Sequence, residues 1–219
     1  MSRIFLGIAI LSLAATGCDD NNTQQVASYQ APIHSKPVIS IVPVIDSTKN
    51  DYEWSLSEEF SSILSDRLSQ HKHLSVADLG KVHEKTKKLN EKHNPFSPDV
   101  SWVKNAFQGD EFVVFLELIE HEEVFRQDHK KPASPEECSA DLNMTMRVRV
   151  FDVRGNEPKV ILQELVQNSH FIPRQFTSEH FYQASWGTEN FQITPVGLAH
   201  AKFTKELASR IGEYVLLAR

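Results

Sequence analysis

Pro37-Val38-Ile39-Ser40-Ile41-Val42-Pro43-Val44-Ile45-Asp46 carries β-branched residues on both of its alternating faces. That is the pattern of a strand buried on two sides. Pro43 has no N–H to give to a ladder, so it belongs near the strand's end or at a bulge. Ser47 to Tyr52 reads as a polar turn, and a helix follows. Ser55 with Glu58 fits a capping box, and Leu56, Phe60, Ile63, Leu64 and Leu68 fall on one helical stripe.

Further along, Leu74 to Ala77 suits a short strand, and Leu79, Val82, Thr86 and Leu89 mark a second, strongly charged helix. Ser97-Pro98-Asp99 predicts a third helix start, with Trp102, Val103, Ala106 and Phe107 as its buried face and Gly109 as its stop. Glu111 to Glu120 reads as an apolar strand ending in acids. Asp141 to Val153 alternates: Leu142, Met144, Met146, Val148 and Val150 face in, while Asn143, Thr145, Arg147 and Arg149 face out. Arg154 to Pro158 is a turn, and Lys159 to Asn168 pairs back as a hairpin. Acids at Glu117, Glu120, Glu122, Glu123 and Glu164 are expected to face Arg147 and Arg149 across the sheet. Phe171 to Phe191 is irregular and aromatic. A last helix starts at Thr194-Pro195, with Leu198, Phe203, Leu207, Ile211 and Val215 as its stripe. The order predicts an α+β fold with a mixed, largely antiparallel sheet and helices mainly on one face.

Upstream, Met1 to Gly17 has the layout of a secretory signal: one cation, Arg3, then an almost wholly apolar run from Ile4 to Ala15. The run is shorter than the roughly 20 residues a spanning helix needs. Ala15-Thr16-Gly17-Cys18 resembles the lipobox of bacterial lipoproteins, although Leu is commoner where Ala15 stands. The resemblance implies cleavage between Gly17 and Cys18 and a lipid thioether on Cys18, hence a membrane partner reached through the anchor. An ordinary secretory signal cut near Ala14–Thr16 is the alternative. Asp19 after the cysteine is similar to an inner-membrane retention signal of enterobacterial lipoproteins; inner versus outer membrane stays open. Residues 18–36 read as a polar tether, which at 5–6 Å × √n reaches about 20–25 Å. Residues 37–219 then form a single domain in the cell envelope, facing the periplasm or the exterior.

Loss of Arg3 with the signal takes the net charge of −6 to −7, which gives no global pull towards nucleic acid. Of two cysteines, lipidation of Cys18 leaves Cys138 alone, so no intramolecular disulfide is available.

The stretch Ile39 to Asp46, its polar turn and its helix look like the start of an envelope-protein family. That family holds the curli-secretion lipoprotein, the lipoprotein activator of peptidoglycan synthase and the amino-terminal domain of TolB. Phe107 to Val114 stands where that family has its later strand, and Val150-Phe151-Asp152-Val153 with Gly155 is similar to its Asp-then-Gly turn. The likeness runs roughly from Pro37 to Asn168. It implies a non-catalytic domain binding an envelope protein or peptidoglycan in assembly or secretion.

Catalytic patterns are wanting. His121-Glu122-Glu123-Val124-Phe125 begins like a zinc-hydrolase motif but has Phe125 where a second His is required. His71-Lys72-His73 lacks a nearby third ligand. Glu58/Glu59, Glu122/Glu123 and Glu136/Glu137 read as exposed faces, and Cys138 lies in an acidic loop that disfavours a thiolate. No enzyme activity, cofactor or metal is expected. Candidate partner contacts are Lys81, Lys85 and Lys88 in a locally basic segment, with Trp186 in the aromatic one. The alternative function is a carrier or assembly factor that binds lipid or glycolipid in an apolar groove.

Overall fold

Pro43 splits its strand, and the fold is built around that split. The computed structural model describes residues 36–49, 52–90, 92–126, 138–176 and 185–219. The expected signal, Cys18, nearly all of the expected tether, Glu136, Glu137, Phe181 and Tyr182 lie outside the described residues. In the first strand line, β1 (Val38–Ile41) and β2 (Ile45–Asp46) both pair in parallel with β4 (Phe112–Phe125). Ile41 stands opposite Val114 and Ile45 opposite Glu117, so one extra residue is absorbed between the halves. Backbone groups freed by the split find side chains in α1 (Leu56–Ser69). Ser61 Oγ accepts from Val44 N at 2.9 Å and donates to Ser57 O at 2.6 Å, while Ser57 Oγ donates to Val44 O. Proline in a buried strand is thus tolerated because a helix supplies the lost partners.

The sheet order is β3-β1-β4-β5-β6, with β3 at Ser75–Val76, β5 at Ala140–Asp152 and β6 at Lys159–Ile172. The first half pairs in parallel, and β4, β5 and β6 pair antiparallel. This is an α+β fold with a mixed, mostly antiparallel six-stranded sheet.

Two long helices, α1 and α4 (Pro195–Leu217), cover one face. Their core joins Leu56, Phe60, Leu64, Leu68, Phe203, Leu207, Ile211 and Val215 to the inward residues Leu142, Met144, Met146, Val148 and Val150 of β5. Each large apolar side chain so buried contributes roughly 1.5–3 kcal/mol. The short helices α2 (Leu79–Thr86) and α3 (Trp102–Ala106) cover part of the opposite face, where Val82, Val103 and Phe107 meet Val113, Phe115, Phe151 and Val153. No helix among the described residues is long and apolar enough to cross a membrane.

Caps follow the sequence signals. Ser55 Oγ accepts from Glu58 N, and Thr194 Oγ1 accepts from Gly197 N at 3.0 Å. Gly197 is obligatory there, since a Cβ would stand 2.1 Å from the Phe191 carbonyl oxygen. Gly109, with φ of +88°, ends the turn after α3 as expected.

Several expectations need correction. The third helix begins at Trp102, because Asp99 is spent in a turn, accepting from Ser101 N at 3.1 Å. β4 runs on to Phe125 and β6 to Ile172, so Phe171 is a strand residue. Leu198 is exposed, and the true stripe of α4 passes through Val196, Ala199 and His200. Of the expected cross-strand pairs only Glu117–Arg147 forms, at 3.5 Å. Glu164 instead pairs with Arg210 of α4, and Arg149 turns to the Pro95 and Ser97 carbonyls.

Ser61→Ala removes the acceptor for a buried N–H, a change that costs about 1–3 kcal/mol. Urea denaturation should show that loss; an unchanged midpoint would mean that the split strand does not depend on α1 for its partners.

Candidate functional site

Glu59, His121 and His200 come from three elements and meet in the core. Glu59 lies in the first turn of α1, one position before Phe60 of the apolar stripe, and is wholly buried. His200 lies early in α4, also wholly buried, because the Thr194-Pro195 cap sets the phase of that helix. His121 reaches inward only because β4 is bulged between Leu118 and Glu120. A one-residue shift flips every later side chain to the other face. Without the bulge, His121 would point away from the helices.

His200 Nδ1 lies 2.7 Å from Glu59 Oε1, and Trp54 Nε1 donates to Glu59 Oε2 at 2.8 Å. The Nε2 atoms of His121 and His200 are 2.7 Å apart. One proton must sit between them, since two acceptors or two donors at that distance repel. Trp54, Glu59, His200 and His121 are therefore linked in one continuous hydrogen-bonded chain, with one proton shared between the two rings. Aromatic rings enclose it. Tyr52 meets His121 edge-on at 5.3 Å, Phe60 lies 4.9 Å and Phe191 5.9 Å from His200, and Trp54 packs on Tyr52 at 4.5 Å. Burial, and next the electrostatic influence of His200, lowers the His121 pKa to about 3. Burial, followed by the Glu123 and Glu59 carboxylates, pushes the Tyr52 hydroxyl up.

This array can orient and hold a proton. A metal is another matter: no group of three His, Cys, Asp or Glu among the described residues is arranged to bind one. The rejected zinc-hydrolase pattern lies on a strand. His71 and His73 are exposed with ring centroids 5.9 Å apart, and Cys138 is buried.

The expected contact residues are scattered. Lys81 is exposed on α2 and Lys88 in the turn after it. Lys85 is bound to Asp110 at 2.6 Å. Trp186 is half-buried against the core of α1 and α4, on the opposite side of the sheet from α2. Gly17 and Cys18 lie outside the described residues. Reasoning from the sequence missed Glu59, His121 and His200. One signal was available: His200 sits three and four residues from Phe203 and Val196, on the buried stripe of α4.

A family model described as a family of unknown function (DUF7499) matches residues 24–219. The chain belongs to this family. No protein of curated function matches it. Among solved structures, it is similar to the hypothetical protein CT253 from Chlamydia trachomatis, with 26% identity and a TM-score of 0.63. That match covers 83% of this chain and 98% of CT253. The lipoprotein GNA1162 from Neisseria meningitidis matches at 11% identity and a TM-score of 0.41, over 67% of this chain and 90% of its own. A PelC dodecamer from Paraburkholderia phytofirmans matches at 9% identity and a TM-score of 0.37, over 78% and 88%. The likeness to the curli-secretion and TolB proteins is not shown by these matches.

Two outcomes test the buried array. Glu59→Ala strips His200 and Trp54 of their acceptor and should cost about 3–5 kcal/mol in chemical denaturation; a loss under about 1 kcal/mol would show that the array is not a clamp. His121 is neutral when folded and takes a proton below about 6.5 only when unfolded. Its contribution is therefore complete above that pH and declines as pH falls towards 3, by up to about 1.4 kcal/mol per unit. Between pH 7.5 and 5.5 the protein should lose about 1 kcal/mol more than His121→Phe does; equal losses would contradict the buried, neutral ring.

Proposed function

We propose that the protein is a lipid-anchored component of the bacterial cell envelope, whose α+β domain works by binding a protein or wall partner and catalyses no reaction. The observation that carries this reading is the burial of its titratable array. Glu59 and His200 are 0% exposed and His121 only 9%, and aromatic rings close around them. A group that must meet a substrate needs access, whereas a sealed one fixes helices on a sheet. The anchor rests on Ala15-Thr16-Gly17-Cys18 in the sequence, and two acyl chains hold a protein where one does not. Lys81 and Lys88, exposed on the α2 side, remain contacts for an acidic partner.

Full-length protein made in its bacterial host should incorporate labelled palmitate and sediment with membranes. Cys18→Ala should incorporate none and accumulate as uncleaved precursor; normal processing of that variant would overturn the anchor. Crosslinking in intact cells before detergent extraction should recover one stoichiometric envelope partner, and repeated failure would count against the binding role.

A further inference from the structure

The face of β4, β5 and β6 that points away from α1 and α4 is covered by α2 and α3 only near Val113, Phe115, Phe151 and Val153. Beyond them the register sets side chains in rows. Glu122, Asn143 and Ser169 form one row, and Glu120, Thr145 and Gln167 the next. Neighbouring strands are about 4.8 Å apart, and successive rows on one face about 6.8 Å. A hollow of about 300 Å³ lies among Glu120, Asn143, Thr145, Gln167 and Ser169.

The chemistry of these rows is uneven. The Leu118/Glu120 bulge brings Glu120 beside Thr145, whose Oγ1 donates to Glu120 Oε2 at 2.6 Å. Asn143, Gln167 and Ser169 offer amides and a hydroxyl that make no side-chain hydrogen bond among the described residues. At the end of the face Phe171 is 48% exposed, with the Arg126 guanidinium 4.8 Å from its ring centroid. Among the described residues the arginines of this face are engaged: Arg126 with Asp141, Arg147 with Glu117 and Arg149 with two carbonyls. Glu120 and Glu122 remain as the acidic charge of the rows.

That charge balance selects the occupant. Among the described residues a phosphate-rich or otherwise anionic polymer meets the Glu120 and Glu122 carboxylates and no uncommitted cation, which disfavours it. A neutral, hydroxyl-rich chain donates to the carboxylates. An acetamido group on it is both donor and acceptor, which matches Asn and Gln amides. An exposed aromatic ring supplies a flat apolar surface for the C–H face of a sugar. We propose that this open sheet face binds a neutral, N-acetylated glycan strand across the Glu120–Thr145–Gln167 and Glu122–Asn143–Ser169 rows, with Phe171 as its apolar platform. This rests on the reading of the domain as a binding module and narrows its wall partner to one chemical class.

The probe is the β-linked tetrasaccharide of N-acetylglucosamine, titrated into detergent-solubilised full-length protein and followed by calorimetry and saturation-transfer NMR. Saturable binding is expected. Gln167→Ala, Asn143→Ala and Phe171→Ala should each weaken it about tenfold, a loss equivalent to about 1.4 kcal/mol, with unchanged melting temperatures. Lys72→Ala, in an exposed turn outside this face, should leave it unaltered. No saturable binding, or affinities unmoved by all three face variants, would overturn the proposal. Crosslinking to a protein partner in the same preparations distinguishes that failure from failure of the binding role itself.

Discussion

A carboxylate without contact to water sits where two helices and a strand meet, and the arrangement of the α1–α4 layer depends on satisfying it. An ionised group in such a place is tolerated only if each oxygen has a donor. Glu59 has two, the Trp54 indole and the His200 ring, and His200 leans in turn on His121. Contributors 141 residues apart in the chain are thereby held to one geometry. Sliding α4 by a turn, or moving β4 by one residue, leaves a buried charge uncompensated. Apolar packing is less demanding, because a Leu stripe accepts many small displacements.

The same logic governs the split first strand. Its interruption exposes backbone groups in the interior, and Ser57 and Ser61 of the adjacent helix take them up. Polar residues on the inward side of α1 thus perform two tasks. The serines near its first turns bind the strand break, and Glu59 between them binds α4. The helix is pinned to the sheet by directional bonds on top of its apolar stripe, and that fixes which face of the sheet remains open.

This division has functional weight. The α1–α4 face is closed and titratable groups are sealed within it, while α2 and α3 cover only part of the other face. What remains uncovered on β4, β5 and β6 mixes Glu120, Glu122, Asn143, Gln167 and Ser169 with the exposed Val124, Leu165 and Phe171, and among the described residues its arginines are engaged. A surface of that kind suits recognition by hydrogen bonding more than by burial of a large apolar patch.

By itself the sequence determined the element types, their order and the α+β class. Apolar periodicity and cap residues such as Ser55, Thr194 and Gly109 act locally, over three or four residues. The resemblance of Ala15-Thr16-Gly17-Cys18 to a lipobox is local in the same way, and so is the awkwardness of Pro43. The site is a different case. Glu59 looks like half of an exposed acidic pair, and His121 like a strand-end residue among acids. Only the tertiary structure decides otherwise, because a single bulge in β4 reverses the facing of every residue after Leu118. Nothing in the local pattern records which partner strand will absorb the extra residue. Burial of His200 was half legible from the stripe of α4, but its bond to Glu59 belongs to the fold, where two distant helices supply what neither encodes alone.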